Sequence, residues 1–181
     1  KWLDAVLITH AHADHVMGMD DCRRFCEMRG DRPLPIYGIE QTIEILKKVF
    51  FYAFHDGPHP HGYFIPEPHV VELEFQIGDL SIRPQLLDHV YITSCGYLFI
   101  QNGIKKMAYL TDCKYVSDDV IEDIQGVEVV VLDALRITPH PTHLNLEEAI
   151  EVSQRIQARK TYLTHLTHEY NHDEHQRQIS E

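Results

Sequence analysis

Near the start of the chain lies the segment Thr9-His10-Ala11-His12-Ala13-Asp14-His15, which holds four possible metal ligands within six residues. It closes a continuous apolar run, which is typical of a buried strand. Because an extended backbone points residues i and i+2 to the same side, His10 and His12 can hold one cation together. The turn into the next helix redirects Asp14 and His15, which can reach a second cation beside the first.

The composition is that of an ordinary globular protein with many histidines. The chain has 181 residues, of which 44% are hydrophobic and 24% are charged, and these values indicate one domain over residues 1–181. No run approaches the roughly 18 apolar residues that a membrane span needs. Four cysteines do not make a disulfide scaffold here, so a cytoplasmic protein is expected. The 14 histidines are unusual, because histidine is the commonest metal ligand.

The charge balance narrows the class of partner. Lys and Arg number 16 and Asp and Glu number 28, which gives a net charge of −12. A generic nucleic-acid binder needs a basic surface, so nucleic acid is not the expected partner. An acidic chain suits a protein that concentrates carboxylates around cations. A homodimer is expected only by analogy with acidic hydrolases of this size.

The rest of the chain alternates between strand and helix patterns. The segment 55–69 is rich in Pro and Gly and is predicted to be a loop. The first residue is Lys1 and the opening reads as a strand already under way, so we expect the N-terminal portion of the natural domain, including its first strands, to precede it. Strands are predicted at 4–9, 35–38, 70–75, 80–87, 96–101, 106–110, 127–132 and 161–164, and helices at 17–29, 39–51, 116–124 and 145–157.

The His-x-His-x-Asp-His string resembles the signature of the metallo-β-lactamase fold superfamily. The resemblance implies an α/β fold, a four-layer αβ/βα sandwich, with two metals at one edge of the sheets. It also requires three later ligands, each at the end of a strand. His89, Asp112 and His165 occur in that order, each just past an apolar run.

The resemblance implies a particular distribution of these residues over two divalent ions, Zn or Mn. The first ion would take His10, His12 and His89, the second would take Asp14, His15 and His165, and Asp112 would bridge them. Asp14 is also predicted to take part in catalysis. Each ion would keep a position for water, and a water that bridges them loses its proton near neutral pH and becomes the nucleophile.

The residue at position 112 indicates which hydrolases of the superfamily this chain resembles. True metallo-β-lactamases mostly have Cys in that region or lack a bridging carboxylate, whereas superfamily hydrolases of phosphodiesters and thioesters use Asp. Cys113 follows on a strand end and is predicted to point away from the site as a packing thiol.

Three further strings resemble a narrower branch. Residues 18–23, 139–149 and 163–168 are similar to the phosphoribosyl cyclic phosphate phosphodiesterase (PhnP-like) family of bacterial phosphonate breakdown. This resemblance implies hydrolysis of a small cyclic or diester phosphate. In those relatives the residue that matches His168 joins upstream cysteines in a structural zinc site.

Four residues near the expected site have two interpretations each. His143 is interpreted as the general acid that protonates the leaving alkoxide, or as a cap of the helix after it, while His140 is the competing acid or shapes the loop. Asp133 is interpreted as a carboxylate that orients a ligand histidine, or as a cap. Arg136 is interpreted as a phosphate clamp, or as a solvated loop residue.

The Pro-rich segment contains four further histidines, and it is interpreted as a lid that contacts the substrate or as a solvated loop. These histidines are His55, His59, His61 and His69.

Three alternatives remain beside a dinuclear phosphodiesterase. A ribonuclease Z-like tRNA-processing phosphodiesterase has the same ligands, but it needs a basic surface, against which the charge counts. A glyoxalase II-type thioesterase would carry an additional helical domain. A non-catalytic metal-binding accessory protein keeps all the ligands without the reaction.

Overall fold

The computed structural model describes residues 3–171 together with residues 173 and 175. The chain divides into two compact units, Lys1–Gly78 and Asp79–Glu181. Among the described residues, no helix has the length and apolar character needed to cross a membrane. Whether residues 1–181 act as a single domain stays a prediction.

The first unit is built on a small parallel sheet in which β2 lies between β1 and β3. Its described strands are β1 (Val6–Leu7), β2 (Leu34–Gly38), β3 (Pro66–Val70) and β4 (Phe75–Ile77). Its described helices are α1 (Ala13–Val16), a 3-10 helix (Met17–Cys22), α2 (Arg23–Met28) and α3 (Glu40–Val49). The predicted helix over 17–29 is therefore a 3-10 helix continued by α2.

The core of the first unit gathers the inward faces of β2 and α3. Leu34 and Ile36 alternate with half-buried neighbours along β2, and Ile43 and Leu46 are one turn apart on α3. These four side chains are buried in one apolar cluster. The sheet and α3 are therefore held together by ordinary core packing, which also includes Ile8 directly after β1.

The predicted loop over 55–69 is wrong at its end, because Pro66–Val70 forms β3. The prolines of this strand, Pro66 and Pro68, lack the backbone N–H that a central strand needs on both sides. β3 pairs with β2 alone in its sheet, and proline is tolerated at such an edge. The strand predicted over 70–75 is displaced for the same reason, since 66–70 already form β3 and the next strand is β4.

The second unit carries most of the larger sheet. Its strands are neighbours in the order β5 (Leu80–His89), β6 (Ile92–Gln101), β7 (Ile104–Leu110), β8 (Val129–Asp133) and β9 (Lys160–Thr164). Its described helices are α4 (Asp118–Ile124) and α5 (Leu146–Ile156). The sequence predictions of strands and helices over this half agree with these elements to within a few residues.

The order and direction of these strands bring several strand ends to one edge of the sheet. β7, β8 and β9 are parallel, and β5 runs in the same direction because β6 is antiparallel to both β5 and β7. The carboxyl ends of β5, β7, β8 and β9 therefore lie at the same edge. His89 and Asp133 end their strands, His165 directly follows β9, and Asp112 comes two residues after β7.

The loops at this edge are attached to the core. Asn145 caps α5 by accepting a hydrogen bond from the Glu148 backbone N–H, and the Glu148 side chain accepts from the Asn145 N–H. The Leu144 N–H donates to the Cys113 carbonyl oxygen at 2.8 Å. The loop before α5 is therefore joined to the loop after β7, and both are held at the strand ends.

Candidate metal centre

The first cluster of possible ligands lies in the first unit, just after β1. His10 is buried, and its Nδ1 lies 3.1 Å from Thr9 Oγ1. Its Nε2 lies 3.0 Å from His12 Nδ1, so the two imidazoles present nitrogen atoms to the same region. This is the arrangement that the i, i+2 spacing predicts for an extended backbone.

The start of α1 adds two more side chains to this cluster. His12 is the N-cap of α1, which places Asp14 and His15 in its only full turn. His15 Nε2 lies 3.3 Å from Asp14 Oδ2, and the rings of His10 and His15 are 4.2 Å apart. The first unit thus brings together His10, His12, Asp14 and His15.

The second cluster lies in the second unit and centres on Asp112. One oxygen of this buried carboxylate, Oδ1, accepts a hydrogen bond from Thr111 Oγ1 at 2.7 Å. The other oxygen, Oδ2, lies 3.9 Å from His89 Nε2 and 3.5 Å from His165 Nε2. These distances are too long for good hydrogen bonds. They are close to the separation of two ligand atoms on one tetrahedral metal ion, which is about 3.4 Å when each metal–ligand bond is about 2.1 Å. A carboxylate so placed can share a cation with each imidazole.

A hydrogen bond to the backbone fixes the orientation of the His89 ring. Its Nδ1–H donates to the Thr142 carbonyl oxygen at 2.9 Å. A carbonyl can only accept, so the neutral ring carries its proton on Nδ1 and offers the lone pair of Nε2 to the Asp112 side. A hydrogen bond of this kind is the usual support of a metal-binding histidine.

Asp112 and His165 share an uncommon backbone conformation. Their φ angles are 55° and 60°, in the left-handed region. Asp112 comes two residues after the end of β7, and His165 comes directly after the end of β9. This conformation costs about 1 kcal/mol or more for a residue with a side chain. Both residues lie among the possible metal ligands, where such strained backbone is often found.

Asp133 is the buried anchor of the second cluster. Its side chain is fully buried, and its Oδ2 accepts hydrogen bonds from the Cys113 N–H at 3.1 Å and from His143 Nδ1 at 3.0 Å. Its Oδ1 lies 3.8 Å from His165 Nδ1 and has no hydrogen-bond partner among the residues that the structure describes. The hydrogen bond from His143 to this buried carboxylate fixes the orientation of the imidazole, which is the usual role of a carboxylate behind a metal-binding histidine. Of the two interpretations of Asp133, the structure supports the one in which it orients histidines.

His143 belongs to the same cluster and does not cap α5. Asn145 fills the capping position, so that interpretation of His143 is wrong. The His143 ring is buried, it stacks on the His165 ring at 5.0 Å, and it lies 4.7 Å from the His89 ring. Ligand atoms of Asp112, His143 and His165 lie within 4.8 Å of one another, so this group can hold a metal ion by itself.

His140 and Arg136 shape the loop that carries His143. His140 Nδ1 accepts from the Thr142 N–H at 3.3 Å, and burial together with the positive charges of His143 and Arg136 lowers its pKa. The Arg136 guanidinium donates to the carbonyl oxygens of Thr138 and Pro139 at 3.2 and 2.6 Å. Its remaining N–H groups are those that could meet a phosphate.

The sequence did not predict Lys114 as part of this site. Its Nζ donates to both carboxylate oxygens of Glu148, at 2.6 and 2.8 Å, and lies 3.4 Å from the His143 carbonyl oxygen. The Asn-x-x-Glu spacing signals the role of Glu148 in the cap, but no local pattern links Lys114 to a helix more than thirty residues later. Lys114 thereby fixes the segment that carries His143.

The remaining candidates lie away from both clusters. Cys113 is buried in the core as predicted, and burial raises the pKa of its thiol. His168 is exposed and belongs to none of the metal-competent groups found among the described residues. The histidines of the Pro-rich segment make other contacts: His55 stacks on His59, His61 pairs with Asp31, and His69 stacks on Tyr37.

Comparison with known proteins identifies the family. A family model described as the beta-lactamase superfamily domain matches residues 1–166. The chain belongs to this family. The α/β fold predicted from the His-x-His-x-Asp-His string is thereby confirmed, and a solved structure of a diphosphatase from the PhnP family supports it with a TM-score of 0.86. That structure is 34% identical, and the alignment covers 98% of this chain and 65% of that one.

Two curated relatives with different names match most of this chain. An octanoyltransferase of Porphyromonas gingivalis is 32% identical over 176 residues, which are 96% of this chain but only 34% of that protein. The exodeoxyribonuclease WalJ of Streptococcus pneumoniae is 25% identical, over 93% of this chain and 65% of that protein. This chain therefore spans between a third and two thirds of the length of these relatives.

Proposed function

We propose that this domain is a metal-dependent hydrolase with a dinuclear centre that acts on a small phosphodiester such as a cyclic phosphate ester. The observation that carries the proposal is the placement of Asp112 Oδ2, at 3.9 and 3.5 Å from two imidazole nitrogens that belong to different strand ends. Family membership and the similarity to a PhnP-family diphosphatase support the same class of reaction.

The ligand assignment that we propose is the one implied by the family pattern. His10, His12 and His89 would hold one ion, Asp14, His15 and His165 would hold the other, and Asp112 would bridge them. Imidazole and carboxylate ligands suit Zn and Mn alike. When bound, the two ions supply Lewis acidity to the phosphate oxygens and lower the pKa of water.

The residues of the second unit supply the proton chemistry and the positioning. Asp133 accepts the Nδ1–H of His143, which leaves Nε2 of that ring to deliver a proton to the departing alkoxide. Lys114 and Glu148 hold the segment in which His143 lies. Arg136 is proposed to contact a phosphate oxygen with the guanidinium N–H groups that the loop carbonyls do not use.

The test is turnover of a cyclic alkyl phosphodiester such as 2′,3′-cyclic AMP, whose leaving alkoxide needs a proton, by the chain with added Mn²⁺ or Zn²⁺, compared with the His143→Ala variant. We expect hydrolysis by the wild type, and a loss of about 100-fold or more in kcat for the variant with its metal content unchanged. Tyr162→Ala, a change at an exposed position of β9, is the matched control. A chain that binds metal but hydrolyses no phosphodiester would overturn the proposal and favour an accessory metal-binding protein.

A nuclease is the second candidate, and the 25% identity to an exodeoxyribonuclease favours it. The acidic charge of −12 counts against it, because phosphate-backbone binding requires a basic surface. Binding of single-stranded DNA over a salt series separates the two: a nuclease predicts a steep fall of affinity with salt, and a small-ester hydrolase predicts no measurable binding.

We also propose a cellular location and an oligomeric state for the protein. We expect a cytoplasmic protein, since none of the four cysteines forms a disulfide. A homodimer is expected by analogy alone, and sedimentation of the purified chain tests it.

A further inference from the structure

The first unit contains a cavity that none of the proposed metal ligands lines. Its volume is about 380 Å³, within the range of small-molecule sites, and it is lined by Asp20, Arg23, Tyr52, Gly62, Tyr63 and Phe64. Asp20 and Arg23 belong to the 18–23 string that follows the histidine cluster. That string has no other function in the proposed reaction.

The polar side of the cavity is a fixed edge with both donors and acceptors. Arg23 donates to Asp20 Oδ2 at 2.7 Å, and the Tyr52 hydroxyl donates to Asp20 Oδ1 at 2.8 Å. Burial and the hydrogen bond to Asp20 raise the pKa of Tyr52 to about 12, so its hydroxyl keeps its proton. Arg23 retains N–H groups and Asp20 retains lone pairs that can meet a ligand.

The other side of the cavity is aromatic. Tyr63 is 47% exposed, whereas Phe64 is buried beneath it. Gly62 has a φ of 79°, and its N–H donates to Asp31 Oδ1 at 3.3 Å. Because Asp31 also pairs with His61, the segment that carries Tyr63 is tied to the turn before β2. The aromatic wall is thus attached at a defined place.

We propose that this cavity binds the nucleobase of a nucleotide substrate. A planar ring can lie against the tyrosine faces and the planar guanidinium, and its edge can exchange hydrogen bonds with Arg23 and Asp20. Guanine fits best, because its hydrogen-bond acceptors can bind the Arg23 guanidinium and its neighbouring N–H groups can donate to the Asp20 carboxylate. An aliphatic ligand would leave the ring faces without a stacking partner.

The cavity lies near the histidine cluster along the chain. Asp20 follows His15 by five residues in one run of helical turns, which is a distance of roughly 8–10 Å along the axis. A nucleotide can bridge such a distance with its phosphate at one end and its base at the other. This inference rests on the proposed function for the phosphate chemistry, but base binding is measured without turnover.

The experiment compares the affinities of GMP and ribose 5-phosphate for the intact chain by calorimetry. We expect GMP to bind at least about 10-fold more tightly, and Tyr63→Ala to abolish that difference, since base stacking is lost. Tyr63→Phe, which keeps the ring, should retain it. Tyr162→Ala, at a tyrosine that is also 47% exposed, should leave it unchanged.

Each outcome bears on one proposal. Equal affinity for the two probes, no binding of GMP, or an unaltered preference in Tyr63→Ala would overturn the nucleobase site. A wild-type chain that prefers GMP but hydrolyses no phosphodiester would overturn the proposed function alone.

Discussion

The two clusters of possible ligands differ in what holds them. In the first unit, four possible ligands fall within six residues that follow a two-residue strand and run into a four-residue helix, and His12 and Asp14 are exposed. In the second unit, His89, Asp112 and His165 come from separate strands of a larger sheet, and a buried carboxylate supports them. One cluster is organised by sequence spacing and the other by tertiary structure. Substitutions should therefore have the largest consequences in the second unit.

The largest effect is expected at Asp112. Asp112→Ala removes the oxygen that lies between His89 and His165, so we expect kcat on bis-p-nitrophenyl phosphate to fall about 1,000-fold or more, beyond the 10–100-fold that is typical of supporting residues. Metal analysis of the purified variant should show less than the wild-type content. Full metal content with full activity would remove Asp112 from the centre.

Asp133 should have the next largest effect. Asp133→Asn keeps the size of this buried side chain but removes its charge, so we expect a loss of about 10–100-fold in activity or metal affinity. Asp119→Asn, at an exposed carboxylate in the first turn of α4, is the matched control. If both variants retain wild-type kinetics, the buried carboxylate contributes only to packing.

The packing of the two units can be compared through their glycines. A Cβ at Gly96 in β6 would lie 2.7 Å from Leu110 Cδ2 and 2.8 Å from the Tyr109 carbonyl oxygen, whereas a Cβ at Gly18 meets nothing within 4 Å. We expect Gly96→Ala to lower the free energy of unfolding by about 1–3 kcal/mol and Gly18→Ala to leave it unchanged or raise it. Urea denaturation monitored by circular dichroism measures both. Equal effects would show that the Gly96 environment can relax.

The smallest effect is a pH dependence in the first unit. The hydrogen bond between Asp31 and His61 raises the pKa of His61 above its usual 6.5 and lowers the pKa of Asp31 below 3.8. The histidine contribution is complete below pH 6.5 and is lost as pH rises through the raised pKa. The aspartate contribution is complete above pH 3.8 and is lost as pH falls through the lowered pKa.

The stabilisation is therefore greatest between these two values. Asp31→Asn should lower the Tm slightly at pH 5 and hardly at all at pH 9, because both side chains are solvent-facing and the pair is weak. A Tm difference that grows with pH would contradict this assignment.

The difference between the clusters also explains how much the sequence could predict. The grouping of His10, His12, Asp14 and His15 follows from local periodicity alone. The positions of His89, Asp112 and His165 came from a family resemblance, since strand order is not contained in any short window. The choice between two interpretations of Asp133 needed its hydrogen bonds to Cys113 and His143.

Two features were outside the reach of sequence patterns. Lys114 meets Glu148 across 34 residues, and this contact depends on the strand and helix between them being in place. β3 was missed because its prolines signal a loop, although an edge strand tolerates them. In both cases tertiary structure decided what local propensity left open.

The proposed function requires that ligands from both units bind one pair of divalent ions. It is tested most directly by equilibrium dialysis of the metal-free chain against Zn²⁺, with the bound metal counted by mass spectrometry for the wild type, His12→Ala and His165→Ala. We predict two ions per wild-type chain and a reduced number or affinity in each variant. A wild-type chain that binds no ion, or variants from either unit that bind two ions with unchanged affinity, would contradict the claim.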